Sequence, residues 1–290
     1  MVDVKKVLAV VSDRDDAGAV IDKSLTIARN AGAEMHVIKV YYDPFIELSA
    51  LDANLAIELK SSRIQHQLET IQALVDETAP GEASCDIVWH KHEFQGILDT
   101  ASEIKADLIV KAVSHEEPRI IRTPEDWNLL RHAEIPVLLV KPIAWHSHPA
   151  IVAALDVEHD GHQELNLRIV YQANQLTQCL RGDLHLICAY PASEHWVGPI
   201  TEALGFERVS EEIESSIHGK LKALAEQQNL VVKEIQAKEG KPEDAIQQLV
   251  DEQHDEILVI GTAQRDGVRG LVIGNTSEAI LQSVHADGLV

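Results

Sequence analysis

The sequence predicts two tandem doubly wound α/β domains, Rossmann-like in class, each an open five-stranded parallel sheet with helices on both faces. Three observations carry this expectation. The strand segments are almost wholly apolar, as in Val7-Leu-Ala-Val-Val11 and Ile257-Leu-Val-Ile260, which marks strands covered on both faces. They alternate with helical stretches, the pattern of parallel crossover units. The whole pattern is also written twice within 290 residues, a length that accommodates two ordinary domains.

Each element of the first copy has a counterpart in the second. Val7-Leu-Ala-Val-Val-Ser12 is repeated by Ile151-Val-Ala-Ala-Leu-Asp156. Helical stretches follow from Ala17 to Asn30 and from Glu164 to Leu180. The second strands are Glu34-Met-His-Val-Ile-Lys-Val-Tyr41 and Asp183-Leu-His-Leu-Ile-Cys-Ala-Tyr190. Long helices are expected over roughly 48–78 and 202–228, then short strands at 84–90 and 230–237, then helices near 94–105 and 242–253. Asp107-Leu-Ile-Val-Lys111 and Glu256-Ile-Leu-Val-Ile260 are the fourth strands. Thr123-Pro-Glu125…His132-Ala133 aligns with Thr276-Ser-Glu278…His285-Ala286 before the final strands. The last of these, Gly288-Leu-Val290, is shorter than Pro136-Val-Leu-Leu-Val140, as expected if a C-terminal tail is missing. The domains are placed at residues 1–141 and 150–290, joined by a hinge at Pro142-Ile-Ala-Trp-His-Ser-His-Pro149, whose His146 and His148 are read as solvated. Ligands in such folds bind beyond the strand C-termini, where the strand order reverses.

Composition narrows the classes of function. A formal net charge of −22 argues against nucleic acid as a partner, because phosphate backbones attract clustered Lys and Arg. Cys85, Cys179 and Cys188 are isolated, form no disulfide framework, and favour a reducing compartment. There is no apolar signal segment and no run of membrane-spanning length. The expectation is a cytoplasmic protein without a membrane partner.

The most informative segment is Ile257-Leu-Val-Ile-Gly261-Thr-Ala-Gln264-Arg-Asp-Gly267-Val-Arg-Gly270-Leu-Val-Ile-Gly274-Asn275-Thr276-Ser277-Glu278. A buried strand, a glycine-bearing loop and a capped helix start present backbone N–H groups and a helix dipole to an anion, most often phosphate. The spacing resembles the nucleotide loop of the universal stress protein family: Gly, two residues, Gly, nine residues, Gly, then Ser or Thr. Gly261 and Gly274 fit this pattern. Gln264 stands where the second glycine is expected, and Asn275-Thr276 follow the last. Asn275, Thr276 and Ser277 also have the simpler duty of capping a helix. Two copies in one chain, together with Thr123-Pro-Glu-Asp-Trp127, resemble the tandem, E-type branch of that family over essentially the whole length.

The resemblance implies an adenine nucleotide, ATP or a relative, lying across the strand ends. An aspartate after the first strand then holds adenine and ribose, and the glycine loop holds phosphates. On that basis the second half offers Asp156, Gly261, Gln264, Gly274, Asn275, Thr276 and Ser277. Gln264 either crowds the phosphates or donates to them. The resemblance also implies an internal pseudo-dimer of the two domains, with homodimerisation of the whole chain as a further option. The first half has lost the motif. No glycine lies between Val110 and Thr123, and the path from Ala112 to Thr123 is 11 residues, against 15 from Gly261 to Thr276. Glu116 and Glu117 there repel phosphate, whereas Arg119 and Arg122 attract it.

A zinc site is conceivable at His90, His92 and His115: the first two share a face if the third strand continues that far, and the third leaves the fourth strand at the same edge. No Ser-His-Asp, Cys-His or paired-carboxylate constellation emerges, and the loop lacks the P-loop lysine. Catalysis is therefore expected to be at most slow ATP hydrolysis. The reading is a ligand-responsive stress protein that binds a nucleotide or phosphate-bearing small molecule. The alternatives are a binder of a lipid-like or other organic ligand, with Leu48, Leu51, Leu55 and Ile57 as an amphipathic wall, and a metal-assisted ATP hydrolase.

Overall fold

A computed structural model describes residues 4–12, 16–47, 52–113, 125–191, 206–253, 257–261, 277, 280, 281 and 286–290. The chain divides into two units that part between Ala144 and Trp145.

The first unit runs β1 (Lys6–Val10), α1 (Ala17–Ala31), β2 (Glu34–Tyr41), α2 (Ala53–Thr78), β3 (Ala83–Trp89), α3 (Glu93–Ile104), β4 (Leu108–Ala112), α4 (Glu125–His132) and β5 (Val137–Val140). Its strands lie in the order β3-β2-β1-β4-β5, and each of these pairings is parallel. Val7, Leu8 and Ala9 of β1 and Ile109 and Val110 of β4 are fully buried, as a central strand covered on both faces requires. Helix α1 ends on Gly32 at φ 67°, whose N–H returns to the Ala28 and Arg29 carbonyls. That left-handed C-cap is the reason for a glycine there. Asp52 caps α2 by accepting from Asn54 N (2.9 Å) and Leu55 N (3.2 Å). The helix therefore begins at Ala53 rather than near residue 48, and of the expected amphipathic wall Leu55 and Ile57 are exposed. Leu48 and Leu51 lie outside the described residues.

The second unit runs β6 (Ala150–Ala154), a 3-10 turn (Asp160–His162), α5 (Gln163–Leu180), β7 (Asp183–Tyr190), α6 (Phe206–Gln227), β8 (Glu234–Glu239), α7 (Pro242–Gln253), β9 (Ile257–Val259) and β10 (Asp287–Leu289). Its strand order is β10-β9-β6-β7-β8, again with parallel pairings. The fold class read from the sequence is thus the fold observed, strand by strand. Residues following the division belong physically to this unit. Trp145 Nε1 donates to the buried Asp287 Oδ2 at 2.7 Å, and His148 Nδ1 donates to the Arg181 carbonyl at 2.9 Å. No helix among the described residues is long and apolar enough to cross a membrane.

The topology fixes where a ligand can sit. In the second unit the chain moves outward from β6 through β7 to β8, then returns to β9 on the other side of β6. The reversal falls between β6 and β9, the position at which open α/β sheets generally bind ligands beyond the strand ends. Its counterpart in the first unit falls between β1 and β4.

Candidate functional site

Asp156 leaves β6 on one side of this reversal and Gly261 leaves β9 on the other. The register pairs Ala153 with Val259, so both residues stand two or three positions past a matched pair at the same sheet edge. Asp156 is half-buried. Its main chain is clamped by the buried Asn166 of α5: Asp156 N donates to Asn166 Oδ1 (3.1 Å), and Asn166 Nδ2 donates to the Asp156 carbonyl (2.6 Å). Its carboxylate accepts from Glu158 N (3.3 Å) through Oδ1. Oδ2 accepts from the ring nitrogens His159 Nδ1 (2.7 Å) and His162 Nδ1 (2.9 Å). Burial raises the Asp156 pKa, but the two imidazole hydrogen bonds outweigh it and the net shift is downward. The bond to Asp156 in turn pushes the exposed His159 upward. The carboxylate is held ionised and oriented.

Gly261 has a packing reason to be glycine. A Cβ placed there would lie 2.9 Å from Leu165 Cγ and 3.0 Å from Ile169 Cδ1 on α5, closer than close-packed carbons tolerate. The helix thus approaches the strand end without an intervening side chain. Ser277 Oγ donates to the Gly261 carbonyl at 3.1 Å, so two residues that flank the glycine loop in sequence are tied together. Of the sequence-predicted nucleotide residues, Asp156, Gly261 and Ser277 are described. Gln264, Gly274, Asn275 and Thr276 lie outside the described residues.

The equivalent edge of the first unit is built differently. Ser12 occupies the position of Asp156 in the repeat and donates through Oγ to Asp16 Oδ1 at 3.3 Å. On β4, the buried Lys111 pairs with the buried Asp126 of α4 (2.9 Å) and with Glu93 of α3 (3.5 Å). Burial lowers the lysine's pKa, but the two carboxylates more than offset it, and the net shift is upward. The one cation aimed at this edge by β4 is therefore already neutralised. The Glu125 carboxylate accepts from Phe94 N at 3.2 Å, so acidic groups gather where α4 begins and its dipole would otherwise favour an anion.

Of the expected histidine cluster, His90 and His92 are described. Strand β3 stops at Trp89, so strand alternation does not extend to His90 and His92, and His92 caps α3. His90 Nδ1 accepts from His92 N at 3.0 Å. His115 lies outside the described residues, and β3 and β4 are separated by β2 and β1. Among the described residues, a group of three potential metal ligands forms at Asp156, His159 and His162, and its two histidines were passed over by the sequence reading. The signal was present as Asp156-x-x-His159-x-x-His162. His159 and His162 bracket the 3-10 turn, whose period of three brings them to one side. The cysteines carry no reactive signature: burial pushes Cys179 and Cys188 up to about 11, away from thiolate chemistry.

The two halves of the chain match the universal stress protein family over residues 3–141 and 157–290. A universal stress protein E homolog from Haemophilus influenzae is 28% identical over 98% of this chain and 96% of its own length. Universal stress protein E from Escherichia coli is 25% identical over 99% and 93%. Among solved structures, a functionally unknown protein from Pseudomonas aeruginosa superposes with a TM-score of 0.70 at 24% identity, covering 99% of this chain and 92% of that one. A universal stress protein from Archaeoglobus fulgidus does so with a TM-score of 0.65 at 16% identity, covering 99% and 98%. The duplicated five-stranded unit, the glycine-led loop after β9 and these full-length likenesses lead to one statement: the chain belongs to the universal stress protein family, in its tandem, E-type form.

Proposed function

We propose that the second domain binds an adenine nucleotide or another phosphate-bearing small molecule, and that the chain acts as a ligand-responsive stress regulator in the cytoplasm rather than as an efficient catalyst. One observation carries the reading: Asp156 and Gly261 flank the strand-order reversal on neighbouring strands, and Ser277 closes the glycine loop onto Gly261. A fixed carboxylate on one side suits the hydroxyls of a ribose, and a loop of main-chain N–H groups on the other suits phosphate. The first domain is the structural partner in this reading, because Lys111 is spent on Asp126 and Glu93 and the aspartate is replaced by Ser12. No nucleophile paired with a base stands at the described part of the edge, which favours binding over turnover.

Calorimetric titration of the full chain with ATP tests this. One site per chain is expected, with affinity reduced at least tenfold in Asp156→Ala. ATP binding of unchanged affinity in that variant, or no binding of ATP, AMP or inorganic phosphate, refutes the reading.

A further inference from the structure

We infer that Asp156, His159 and His162 form a divalent transition-metal site on the second domain. The proposal goes beyond nucleotide binding and does not depend on it. The ligand atoms Asp156 Oδ2, His159 Nδ1 and His162 Nδ1 all lie within 4.8 Å of one another, and the carboxylate oxygen is 2.7 and 2.9 Å from the two ring nitrogens. Metal–ligand bonds of about 2.0–2.1 Å separate neighbouring donors by roughly 2.9 Å in an octahedral shell and 3.3 Å in a tetrahedral one. The carboxylate oxygen needs to draw back from each ring nitrogen by only a few tenths of an ångström, and the two ring nitrogens already lie within 4.8 Å of each other.

Two imidazoles and one carboxylate on one side of a cation, with the remaining positions open, is a donor set suited to zinc, iron(II) and their neighbours rather than to calcium or magnesium. The set is local: Asp156 precedes the 3-10 turn Asp160–His162, His159 stands at its N-terminus and His162 ends it. It is also held in place. Asn166, 5% exposed, makes two hydrogen bonds to the main chain of Asp156, and Lys220 of α6 pins the intervening Glu158 at 2.7 Å. His159 is largely exposed, so the open coordination positions face water and can accept a small anionic or carbonyl ligand. On binding, each imidazole offers the Nδ1 lone pair and carries its one remaining proton on Nε2: a neutral ring changes tautomer, its Nδ1 proton being exchanged through solvent to Nε2, whereas a charged ring releases its Nδ1 proton to solvent. The two N–H···O hydrogen bonds to Asp156 are thereby replaced by metal–nitrogen and metal–oxygen bonds. The first domain is a built-in contrast, since Ser12 stands where Asp156 does and no histidine follows it before β2.

The test is equilibrium dialysis of the full chain against Zn²⁺ alone, without nucleotide, with Co²⁺ substitution as a spectroscopic readout. One tightly held ion per chain is expected, with at least tenfold weaker binding in His159→Ala and in His162→Gln. His159 is exposed, so its variant keeps the fold, which circular dichroism verifies. The Co²⁺ bands should report nitrogen ligands and lose that character in both variants. Zinc binding that survives the double substitution, or wild-type protein that retains no zinc, overturns the proposal. ATP calorimetry on the same samples keeps the readings apart: nucleotide binding without zinc refutes only the metal site, and zinc without nucleotide refutes only the function proposed above.

Discussion

At the end of β4 the first domain buries a lysine between two carboxylates; at the matching end of β9 the second domain buries Ile260 next to a glycine. Ile260 packs with Leu258, Ile246, Val250 and Ile280 in one apolar cluster, whereas Lys111 sits in an otherwise similar place with Asp126 and Glu93. One fold thus carries two solutions to the same interior position. The apolar one leaves the sheet edge to Asp156 and the glycine loop. The ionic one consumes the described charges of the edge internally, and in the proposed function the domain keeps its architecture without serving as the anion site. Duplication lets the copies diverge in this way, because each half retains its own core.

The largest expected effect breaks this comparison at its ionic side. Asp126→Ala leaves the buried Lys111 charged with its nearer carboxylate removed and Glu93 still at 3.5 Å, which costs up to about 3 kcal/mol, the lower end for a broken buried pair, measured as the shift of the first domain's urea transition. Combining it with Lys111→Ile, the pair that the repeat places in the second domain, should recover most of the loss, since an apolar replacement of a buried ion pair is often neutral or better. The raised Lys111 pKa means that the pair's contribution is complete at neutral pH and is lost only as pH climbs above 10.5.

On the other side, Gly261→Ala drives a methyl group against Leu165 and Ile169 and should destabilise the second domain by about 1–3 kcal/mol. The reciprocal Ala112→Gly should cost only about 0.5–1 kcal/mol, the usual penalty of glycine in a strand. Equal effects in thermal unfolding would remove the packing argument for Gly261. For the ligand, Gln264→Gly should tighten ATP binding by up to about tenfold, roughly 1.4 kcal/mol by calorimetry. Weaker binding would mean that the amide donates to phosphate.

The smallest effect concerns the second strands, which share a histidine. His36 Nδ1 bonds Ser84 Oγ at 2.7 Å, whereas His185 Nε2 is buried without a hydrogen-bond partner among the described residues. Burial lowers the His185 pKa, against the opposing pull of Glu234 at 3.6 Å and, beyond it, Asp183; Lys233 acts in the same direction as burial. Because the folded value lies below 6.5, the unfolded chain takes up its proton first. Stability is therefore full above about 6.5 and declines as pH falls toward the folded value. His185→Leu should flatten the change in urea midpoint between about pH 7.5 and 5.5.

Much of this was legible in the amino-acid order. Apolar strands and a twofold repeat dictated the sheets, because a residue type buried on both faces leaves little choice. Boundaries moved where a cap decided them, as Asp52 does for α2. Asp156 and Gly261 could be picked out because they match the aspartate after the first strand and the first loop glycine of the family that the sequence resembles. The Lys111–Asp126 pair could not, since their proximity depends on how α4 lies against β4 and no local pattern encodes it. His159 and His162 were readable in principle by their period of three, but that period has meaning only once a 3-10 turn is known to be there.

Hydrogen exchange of the full chain with and without ATP, resolved by peptide, addresses the asymmetry most directly. The account predicts new protection in residues 155–166 and 257–281 of the second domain, and none across 108–130 of the first. Protection that appears in both domains, or in the first alone, would contradict it.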